Sequence, residues 1–331
     1  MDKVDRRRCL GGTMDTVGID ISKATFNAHV IAKRGESKKS FPNSEVGFRQ
    51  LEQWLRNRKA IEPRFCMEAT SSYWERLATY LFDCGYAVSV VNPARIKAFA
   101  QSELLRSKTD EVDAALIARF TCAQNPEPWS PPPPEIRELQ GLVRHLQHLR
   151  TARAAEQVRL QSEGLVEEVQ TSIKSIIAVF DHQIQEIEAS IDDHVDRHPD
   201  LRRKRDLLTS IPGIADLTAA AILGEIPRIE EFRSSKAVAA YAGLSPRTLR
   251  SGTSVRGRGG ICKTGNSRLR KALYMPAVTA RRYNPILAAF ADRLVAAGKP
   301  GKVVIVALMR RLLVLAFGVL RSGRPFVAQT A

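Results

Sequence analysis

Four acidic residues, in three separate stretches of the chain, are of a type that could bind metal ions together. Asp20 stands within residues 17–22, where apolar and other residues alternate as they do on a β-strand. Glu68 ends a second apolar run, and Asp110 and Asp113 are three residues apart, a spacing that places both on one face of a helix. A carboxylate buried in a strand is costly unless a cation compensates it, so Asp20 is predicted to be a metal ligand.

This combination of carboxylates indicates phosphoryl-transfer chemistry. One acid on a strand, one at a strand end and two on a helix suit a pair of Mg²⁺ or Mn²⁺ ions about 4 Å apart, which hold the attacking and leaving oxygens. Each acid taken alone is more simply a solvated charge. Asp110 and Asp113 without the others could simply interact with the dipole of their helix. The order of the four acids and their predicted contexts together favour the metal site.

A second stretch, residues 241–275, is rich in Gly and Ser and has eight Lys or Arg but no acid. It is interpreted either as a flexible basic loop on nucleic acid or as a loop that presents the hydroxyl of Ser251 to a phosphate. Ser245 and Ser254 are the competing nucleophiles, and Ser251 is preferred because Gly252 lets the backbone approach DNA closely. The residues predicted to bind nucleic acid here are Arg247, Arg250, Arg256, Arg258, Lys263, Arg268, Arg270 and Lys271.

A serine hydroxyl needs activation before it can attack phosphorus. No His follows His198 in the sequence, so a Ser–His pair within the C-terminal part of the chain is excluded. Any Ser251 nucleophile would therefore depend on a metal ion or a carboxylate from the N-terminal part. The catalytic set predicted from the sequence is Asp20, Glu68, Asp110, Asp113 and Ser251.

The positive charge of the chain is concentrated in its last third. From Phe232 onward there are 19 Lys or Arg and a single acid, Asp292, a balance of +18. The preceding residues carry 32 basic and 34 acidic side chains, a balance of −2, which together give the net charge of +16. A segregated basic block indicates a polyanionic partner, nucleic acid above all. Its Gly- and Ser-rich sequence argues against a membrane surface as the partner.

Neither a membrane span nor a secreted protein is predicted. The apolar run from Val303 to Leu320 is interrupted by Arg310 and Arg311, which indicates a buried helix. The five Cys, at positions 9, 66, 84, 122 and 262, have neither metal-binding nor disulfide spacing. We therefore expect the protein in a reducing cytoplasm.

The elements that must position the acids form an α/β domain over residues 14–125. Three antiparallel strands are predicted first, followed by alternating helices and strands, which is the order of ribonuclease H-like and RuvC-like folds. The helix from about Asn43 to Arg56 is predicted to turn Val46, Phe48, Leu51, Trp54 and Leu55 inward. In this order Asp20 falls on the first strand and Glu68 on the fourth, the two places where such folds carry metal ligands.

The rest of the chain is predicted to be mainly helical. Residues 126–134 are Pro-rich and indicate a stiff linker. Residues 135–200 are predicted to form long helices broken near Gly164, with a coiled-coil seam at Ile173, Ile177, Phe180, Ile184, Ile187 and Ile191. The basic domain, 201–331, opens with a helix-hairpin-helix pattern at 208–225, which serves either to hold a phosphate or only to pack two helices.

The motifs G-I-D-I-S-K, M-E-A-T, K-T-D-E-V-D-A and A-G-L-S-P…R-S-G-T…I-C-K-T-G-N-S-R-L-R-K resemble those of a known family. It is the DEDD transposases of the insertion-sequence one-ten family, which includes Piv-type DNA invertases. The resemblance runs from about Met14 to about Leu320. The departures are a thirteen-residue N-terminal extension and Cys262, where Ser or Thr is commoner.

The resemblance implies an enzyme that cleaves and rejoins DNA strands of an insertion sequence in the bacterial nucleoid. It assigns the metal-binding acids to Asp20, Glu68, Asp110 and Asp113 of a RuvC-like domain, and the serine nucleophile to Ser251. It also implies Mg²⁺, a covalent serine–DNA intermediate, a homodimer or homotetramer, and a structured bridge RNA that guides the enzyme to element ends and target DNA.

Three other function classes remain open on the sequence alone. A RuvC-like nuclease would use the same acids to hydrolyse branched DNA and would not need Ser251. An actin-like ATPase or sugar kinase has a first phosphate loop similar to residues 17–24, but a second phosphate loop is not found here. A non-catalytic nucleic-acid-binding protein would have no use for a buried Asp20.

Overall fold

The computed structural model of the chain describes residues 14–70, 72–103, 110–247, 250–251, 255–256, 260–262 and 264–327. For residues 110–112, 247, 250–251 and 255–256 it describes the backbone only. The chain divides into two compact units, residues 1–131 and 132–331.

The first unit has one five-stranded sheet with helices on both faces. Its strands are β1 (Thr16–Ile21), β2 (Thr25–Ala32), β3 (Gly35–Pro42), β4 (Arg64–Glu68) and β5 (Val88–Val91). Its helices are α1 (Glu45–Asn57), α2 (Trp74–Asp83), α3 (Pro93–Ser102) and α4 (Asp110–Gln124). The strand order is β3-β2-β1-β4-β5, with β1, β2 and β3 antiparallel and β4 and β5 parallel to β1. This is the ribonuclease H-like arrangement that the sequence predicted.

One face of this sheet forms the main core of the unit. Val17, Ile19 and Ile21 of β1 are buried against α1 and α2, because alternate residues of a strand point to the same side. Helix α1 begins after Ser44, whose hydroxyl accepts a hydrogen bond from the Gly47 N–H. The prediction that Val46 faces inward is wrong: it lies in the first turn, 62% exposed, and Gly47 takes the buried position beside it.

The second unit is built from helices, with a short β-ribbon inserted. The helices are α5 (Pro134–Leu160), α6 (Glu167–Arg197), α7 (Pro199–Thr209), α8 (Asp216–Glu225), α9 (Ser235–Tyr241), α10 (Ser267–Tyr283), α11 (Pro285–Ala296) and α12 (Gly301–Ser322). The ribbon strands are β6 (Pro246–Arg247), β7 (Arg250–Ser251), β8 (Val255–Arg256) and β9 (Gly260–Ile261).

Helix α12 is the central helix of this unit. In the part of the chain that the structure describes, it is the one helix long and apolar enough to cross a membrane by length and composition, and 56% of that stretch is buried inside the protein. Val304, Leu308 and Leu312 are fully buried in the core that α12 shares with α8, α10 and α11. It is therefore the core helix that the interruption by Arg310 and Arg311 indicated.

The predicted hairpin at 208–225 is formed by α7 and α8. Its turn is closely packed, since a Cβ on Gly213, where φ is +105°, would lie 2.5 Å from the Cβ of Ala280. The Asn284 side-chain N–H donates to the carbonyl of Pro212 over 3.3 Å. These contacts support the packing interpretation of the hairpin.

The predicted coiled-coil seam lies on α6, which packs along α5. Ile173 and Ile191 are buried, whereas the four seam residues between them are only half-buried within a single chain. The coiled coil therefore stays a prediction.

Candidate functional site

Asp20 and Glu68 are neighbours at one edge of the first sheet. Gly18 pairs with Cys66 and Ile19 with Met67 across the parallel strands β1 and β4, and Asp20 and Glu68 are the next residues of the two strands. Neighbouring strands lie about 4.8 Å apart, and the alternation places both acids on the face opposite the main core. Two carboxylates that are 48 positions apart in the sequence are thus brought side by side.

Helix α4 covers this face and runs antiparallel to β1. The Thr16 hydroxyl lies 3.3 Å from the Cys122 Sγ near the end of α4. Farther along β1, Gly18 lies against the backbone of Ala114 and Ala118. Because the helix runs back toward its start as the strand advances, its first turn lies beside Asp20.

The close approach of α4 depends on the absence of a side chain at Gly18. A Cβ built on Gly18 would overlap the Ala118 backbone N and the Ala114 carbonyl O. Around this contact a small apolar cluster includes Cys66, Ile96 and Ile117, all buried. The packing fixes the start of α4, and with it the position of Asp113, at the edge that carries Asp20 and Glu68.

The acids themselves are more accessible than the sequence suggested. The prediction of a buried Asp20 is wrong, because Asp20, Glu68 and Asp113 are each half-buried. These acids lie where β1 and β4 end and where α4 begins, so the helix does not cover them completely. Glu68 Oε1 accepts a hydrogen bond from the hydroxyl of Thr70 over 2.5 Å.

The backbone brings these acids to one edge without forming a complete ligand set. Among the residues whose side chains the structure describes, no three Asp, Glu, His or Cys lie close enough to hold a metal ion. The side chain of Asp110, the first residue of α4, is outside that description. Carboxylate oxygens are nevertheless the ligands that Mg²⁺ prefers, so the donor set fits such an ion.

Ser251 lies in the two-residue strand β7, which pairs with β8 within the basic stretch. Arg250 pairs with Arg256 and Ser251 with Val255, while Pro246 of β6 pairs with Ile261 of β9. The two ladders are separate two-stranded sheets, and residues 252–254 lie outside the described residues. Ser254, the competing nucleophile, is one of them, and Arg258 and Lys263 also lie outside the described residues.

The base of this hairpin is held by a buried carboxylate that the sequence analysis missed. Glu225 is only 2% exposed. Its Oε1 accepts from the Arg144 Nε over 3.0 Å and its Oε2 from the Asn266 Nδ2 over 2.7 Å, while its backbone carbonyl accepts from the Tyr241 hydroxyl over 3.0 Å. The signal available in the sequence was an acid at the last position of α8, after the largely apolar run from Leu217 to Gly224.

Asn266 links this network to α10, which follows the hairpin. Its Oδ1 accepts from the Leu269 N–H and so caps the helix. Just before it, Gly265 permits a close crossing, since a Cβ there would lie 2.5 Å from the Tyr241 carbonyl O. Burial raises the pKa of the Tyr241 hydroxyl, which stays a donor to Glu225.

The predicted nucleic-acid-binding residues that the structure describes with side chains differ in their surroundings. Arg268 and Lys271 are exposed on α10. Arg270 is half-buried, and its Nη1 donates to the carbonyls of Ala242 and Gly265. Arg270 therefore has a structural role at the base of the hairpin, and its contact with nucleic acid stays a prediction.

Two family models match the chain, the first over most of the first unit and the start of the second, and the second within the second unit. The DEDD transposase model of the IS110 type matches residues 17–168. The model described as "Transposase IS116/IS110/IS902 family" matches residues 205–292. The first covers Asp20, Glu68, Asp110 and Asp113, and the second covers Ser251.

The chain is also similar to named proteins over most of its length. It is 35% identical to the pilin gene-inverting protein of Moraxella bovis over 314 residues, which are 94% of this chain and 97% of that protein. It is 24% identical to the transposase for insertion sequence element IS1328 of Yersinia enterocolitica, over 78% of this chain and 81% of that protein.

These matches make the chain a DNA transposase or recombinase, and its ribonuclease H-like sheet is consistent with that class. The chain belongs to the IS110 family of DEDD transposases.

Proposed function

We propose that this transposase cleaves and rejoins DNA strands with two groups of residues, one from each unit. The first group is the acidic set Asp20, Glu68, Asp110 and Asp113, and the second is the hydroxyl of Ser251. The observation that supports the proposal is the packing of Gly18 against α4, because the start of this helix then lies near the strand ends that carry Asp20 and Glu68. The proposed substrates are the ends of an insertion sequence and a target DNA.

The acidic set would hold Mg²⁺ or Mn²⁺. The bound cation would supply positive charge to the reacting phosphate and favour deprotonation of an attacking oxygen. Asp20 and Glu68 would be ligands from the sheet, and Asp110 and Asp113 from the first turn of α4. Their half-buried positions are open enough for a DNA strand to reach.

Ser251 would be the nucleophile in a transesterification. Its Oγ would form a bond to phosphorus while the bond from phosphorus to the bridging oxygen of one nucleotide breaks. The proton of the serine would leave to a base, and the released oxygen would become a strand-end hydroxyl. Attack by a hydroxyl from another strand would reverse these bonds and restore the serine, so joining needs no other energy source.

The basic residues around Ser251 would neutralise the phosphate during this step. Arg250 pairs with Arg256 in the backbone register, so each of the two strands beside Ser251 carries a basic residue. A structured bridge RNA from the element would guide the enzyme, and the working form would be a homodimer or homotetramer. Sequencing the RNA that copurifies with the protein should recover a non-coding end of the element.

The acids are tested by Asp20→Asn, with Asp83→Asn at the exposed end of α2 as the matched control. We expect Asp20→Asn to abolish strand cleavage while DNA binding and thermal unfolding stay close to those of the unmodified protein. Asp83→Asn should cleave normally. Cleavage at the normal rate by Asp20→Asn would show that the site is elsewhere.

The serine is tested by trapping the protein–DNA adduct and mapping the modified peptide. The adduct is expected on Ser251 and should be lost in Ser251→Ala, whereas Ser245→Ala and Ser254→Ala should retain it. An adduct on another residue would refute the assignment. Partial rescue when Asp20→Asn and Ser251→Ala proteins are mixed would show that two chains share one active site.

A RuvC-like nuclease is the second candidate, because the acidic edge alone would suffice for hydrolysis. Strand cleavage that persists in Ser251→Ala, without any joined product, would favour it. Transposition-type products that require Ser251 would exclude it.

A further inference from the structure

We propose that the exposed face of α10 is a stacking platform for an unpaired DNA strand. This surface, the α10 platform, is defined by the exposed residues Arg268, Lys271, Tyr274, Met275, Val278, Arg281 and Arg282. The proposal rests on the membership of the chain in a DNA transposase family and does not depend on the acids or on Ser251.

The α10 platform carries large apolar side chains where a surface helix normally has polar ones. Tyr274 is 46% exposed and Met275 63%, and Val278, one turn farther along, is 37% exposed. At 100° per residue they fall within one arc, opposite the buried Leu273 and Ala277. Contiguous exposed apolar groups of this kind mark binding surfaces.

Cations flank this apolar centre at both ends. Arg268 and Lys271 precede it and Arg281 and Arg282 follow it, and α10 contains no acid. Positive charge in the first turn opposes the helix dipole, so Arg268 is not explained by the stability of α10, whereas Arg281 and Arg282 in the last turn also suit the dipole. An anionic partner accounts for the cations at both ends of the helix, Lys271 included.

The dimensions and chemistry fit a short unpaired strand. From Lys271 to Arg281 the helix rises about 15 Å at 1.5 Å per residue, the length of about four nucleotides stacked ~3.4 Å apart. Bases of an unpaired strand would lie on Tyr274 and Met275, while the phosphates on either side would meet the cations. Aromatic platforms in positively charged grooves are the usual way to bind single strands without sequence preference.

Charge and reaction type favour unpaired DNA over other partners. Two copies of the same face would bring eight cations together in an isologous contact, which argues against a second copy of this chain. Duplex DNA keeps its bases stacked within the helix and cannot use an aromatic platform. A DNA recombinase necessarily releases strands from their duplex when it exchanges them, so its own substrate supplies the ligand.

The test is fluorescence anisotropy of the full-length protein with a fluorescein-labelled 20-nucleotide oligo-dT in buffer containing EDTA. We expect Tyr274→Ala to weaken binding about tenfold and Tyr274→Phe, which keeps the ring, to stay within about twofold. Val295→Ala, an exposed truncation on α11, is the control and should bind normally. Affinity for a 20-base-pair duplex should be unchanged in all three variants.

The salt dependence separates stacking from charge. Tyr274→Ala should leave the slope of log affinity against log salt unchanged, whereas Lys271→Gln should reduce it by about 0.7. Unchanged oligo-dT binding by Tyr274→Ala would overturn the proposal, as would an equal loss on the duplex. If Tyr274→Ala lost more affinity for oligo-U than for oligo-dT, the α10 platform would be assigned to RNA. If Tyr274→Ala formed a smaller oligomer in sedimentation, the platform would be assigned to a protein contact. Each result would overturn the DNA proposal. Because EDTA removes divalent cations, failure here leaves the proposed cleavage chemistry untouched.

Discussion

The two regions that carry the proposed chemistry are positioned by different kinds of interaction. The acidic edge depends on apolar packing, in which the backbone of α4 rests directly on Gly18 and on a cluster that contains Cys66. The serine hairpin depends on a polar anchor at its base, where Glu225 holds Arg144 and Asn266.

This difference predicts how each region fails. A packed backbone contact has no room for an added atom but does not respond to charge. A buried ion pair tolerates little loss of charge, since removal of one partner leaves the other desolvated and unpaired. The three Trp, at positions 54, 74 and 129, all lie in the first unit, so Trp fluorescence reports the unfolding of that unit alone.

The largest effect is expected from Gly18→Ala. The added Cβ would overlap the backbone of Ala114 and Ala118, and backbone atoms cannot rotate away, so α4 must move off the sheet. We expect the free energy of unfolding of the first unit to fall by about 3 kcal/mol, measured by chemical denaturation followed by Trp fluorescence.

Gly141→Ala is the control for this substitution. Gly141 lies inside α5, where an added Cβ has no atom within 4 Å, and Ala is the better helix former by up to about 1 kcal/mol. The Trp unfolding midpoint should not change, because α5 belongs to the second unit. A wild-type midpoint for Gly18→Ala would contradict the close-packing account.

The second prediction concerns the polar anchor. Glu225→Ala would leave the Arg144 guanidinium without this carboxylate and Asn266 with only the longer hydrogen bond, 3.4 Å, to the backbone carbonyl of residue 225. We expect a loss of about 2 kcal/mol, toward the low side for a buried pair, because Arg144 is 24% exposed and regains some water. Glu225→Gln should cost less, since its amide oxygen can still accept one hydrogen bond. Hydrogen exchange over residues 132–331 measures the effect.

The exposed ion pair of Arg228 and Glu231 gives the matched comparison. Glu231 is 65% exposed and lies 3.8 Å from Arg228, so Glu231→Gln should change exchange only slightly. If the backbone amides at the base of the hairpin exchange as slowly in Glu225→Ala as in the unmodified protein, the Glu225 anchor does not hold the hairpin in place. The Trp midpoint should stay constant in both variants, which separates this region from the acidic edge.

The sequence was sufficient for the acidic region because its rules are local and periodic. The alternation around Asp20 and the helical spacing of Asp110 and Asp113 predicted the elements correctly, and the order of elements predicted the sheet. The half-buried state of Asp20 could not be predicted, because it depends on where α4 begins above the strand. The role of Gly18 could not be predicted either, because it depends on the contact between Gly18 and the backbone of α4, which only the folded structure shows.

The hairpin region was harder to predict because its determinants are distant in sequence. Ser251 lies in β7, which like its partner β8 has only two residues. Such strands are too short to show an alternating pattern among Gly, Ser and Arg. Glu225 meets Arg144 from 81 positions away, and no spacing rule connects them. Arg270 was grouped with the nucleic-acid contacts by charge alone, and its carbonyl partners appear only in the fold.

The smallest effect is a pH dependence that reports the packing of α4 on the sheet. Cys66 lies on β4 facing α4, and burial raises the pKa of its thiol to about 11, against a hydrogen bond from Thr121 that lowers it. Between pH 9 and 11 the unfolded chain therefore loses this proton before the native protein does, so native stability is fully present below pH 9 and falls as the pH rises toward 11.

At pH 10 we expect Cys66 to lower the free energy of unfolding by about 1 kcal/mol relative to pH 8, as the difference between the unmodified protein and Cys66→Ala in Trp-monitored denaturation. Cys84→Ala removes an exposed thiol at the end of α2 whose pKa is also raised by its surroundings, and it should remove a smaller part of the pH dependence than Cys66→Ala does. At pH 8 a thiol reagent should modify Cys84 in the native protein and Cys66 only after unfolding, except in Gly18→Ala, where displacement of α4 should make Cys66 reactive. An unreactive Cys66 in a folded Gly18→Ala protein would show that α4 stays docked without the glycine contact.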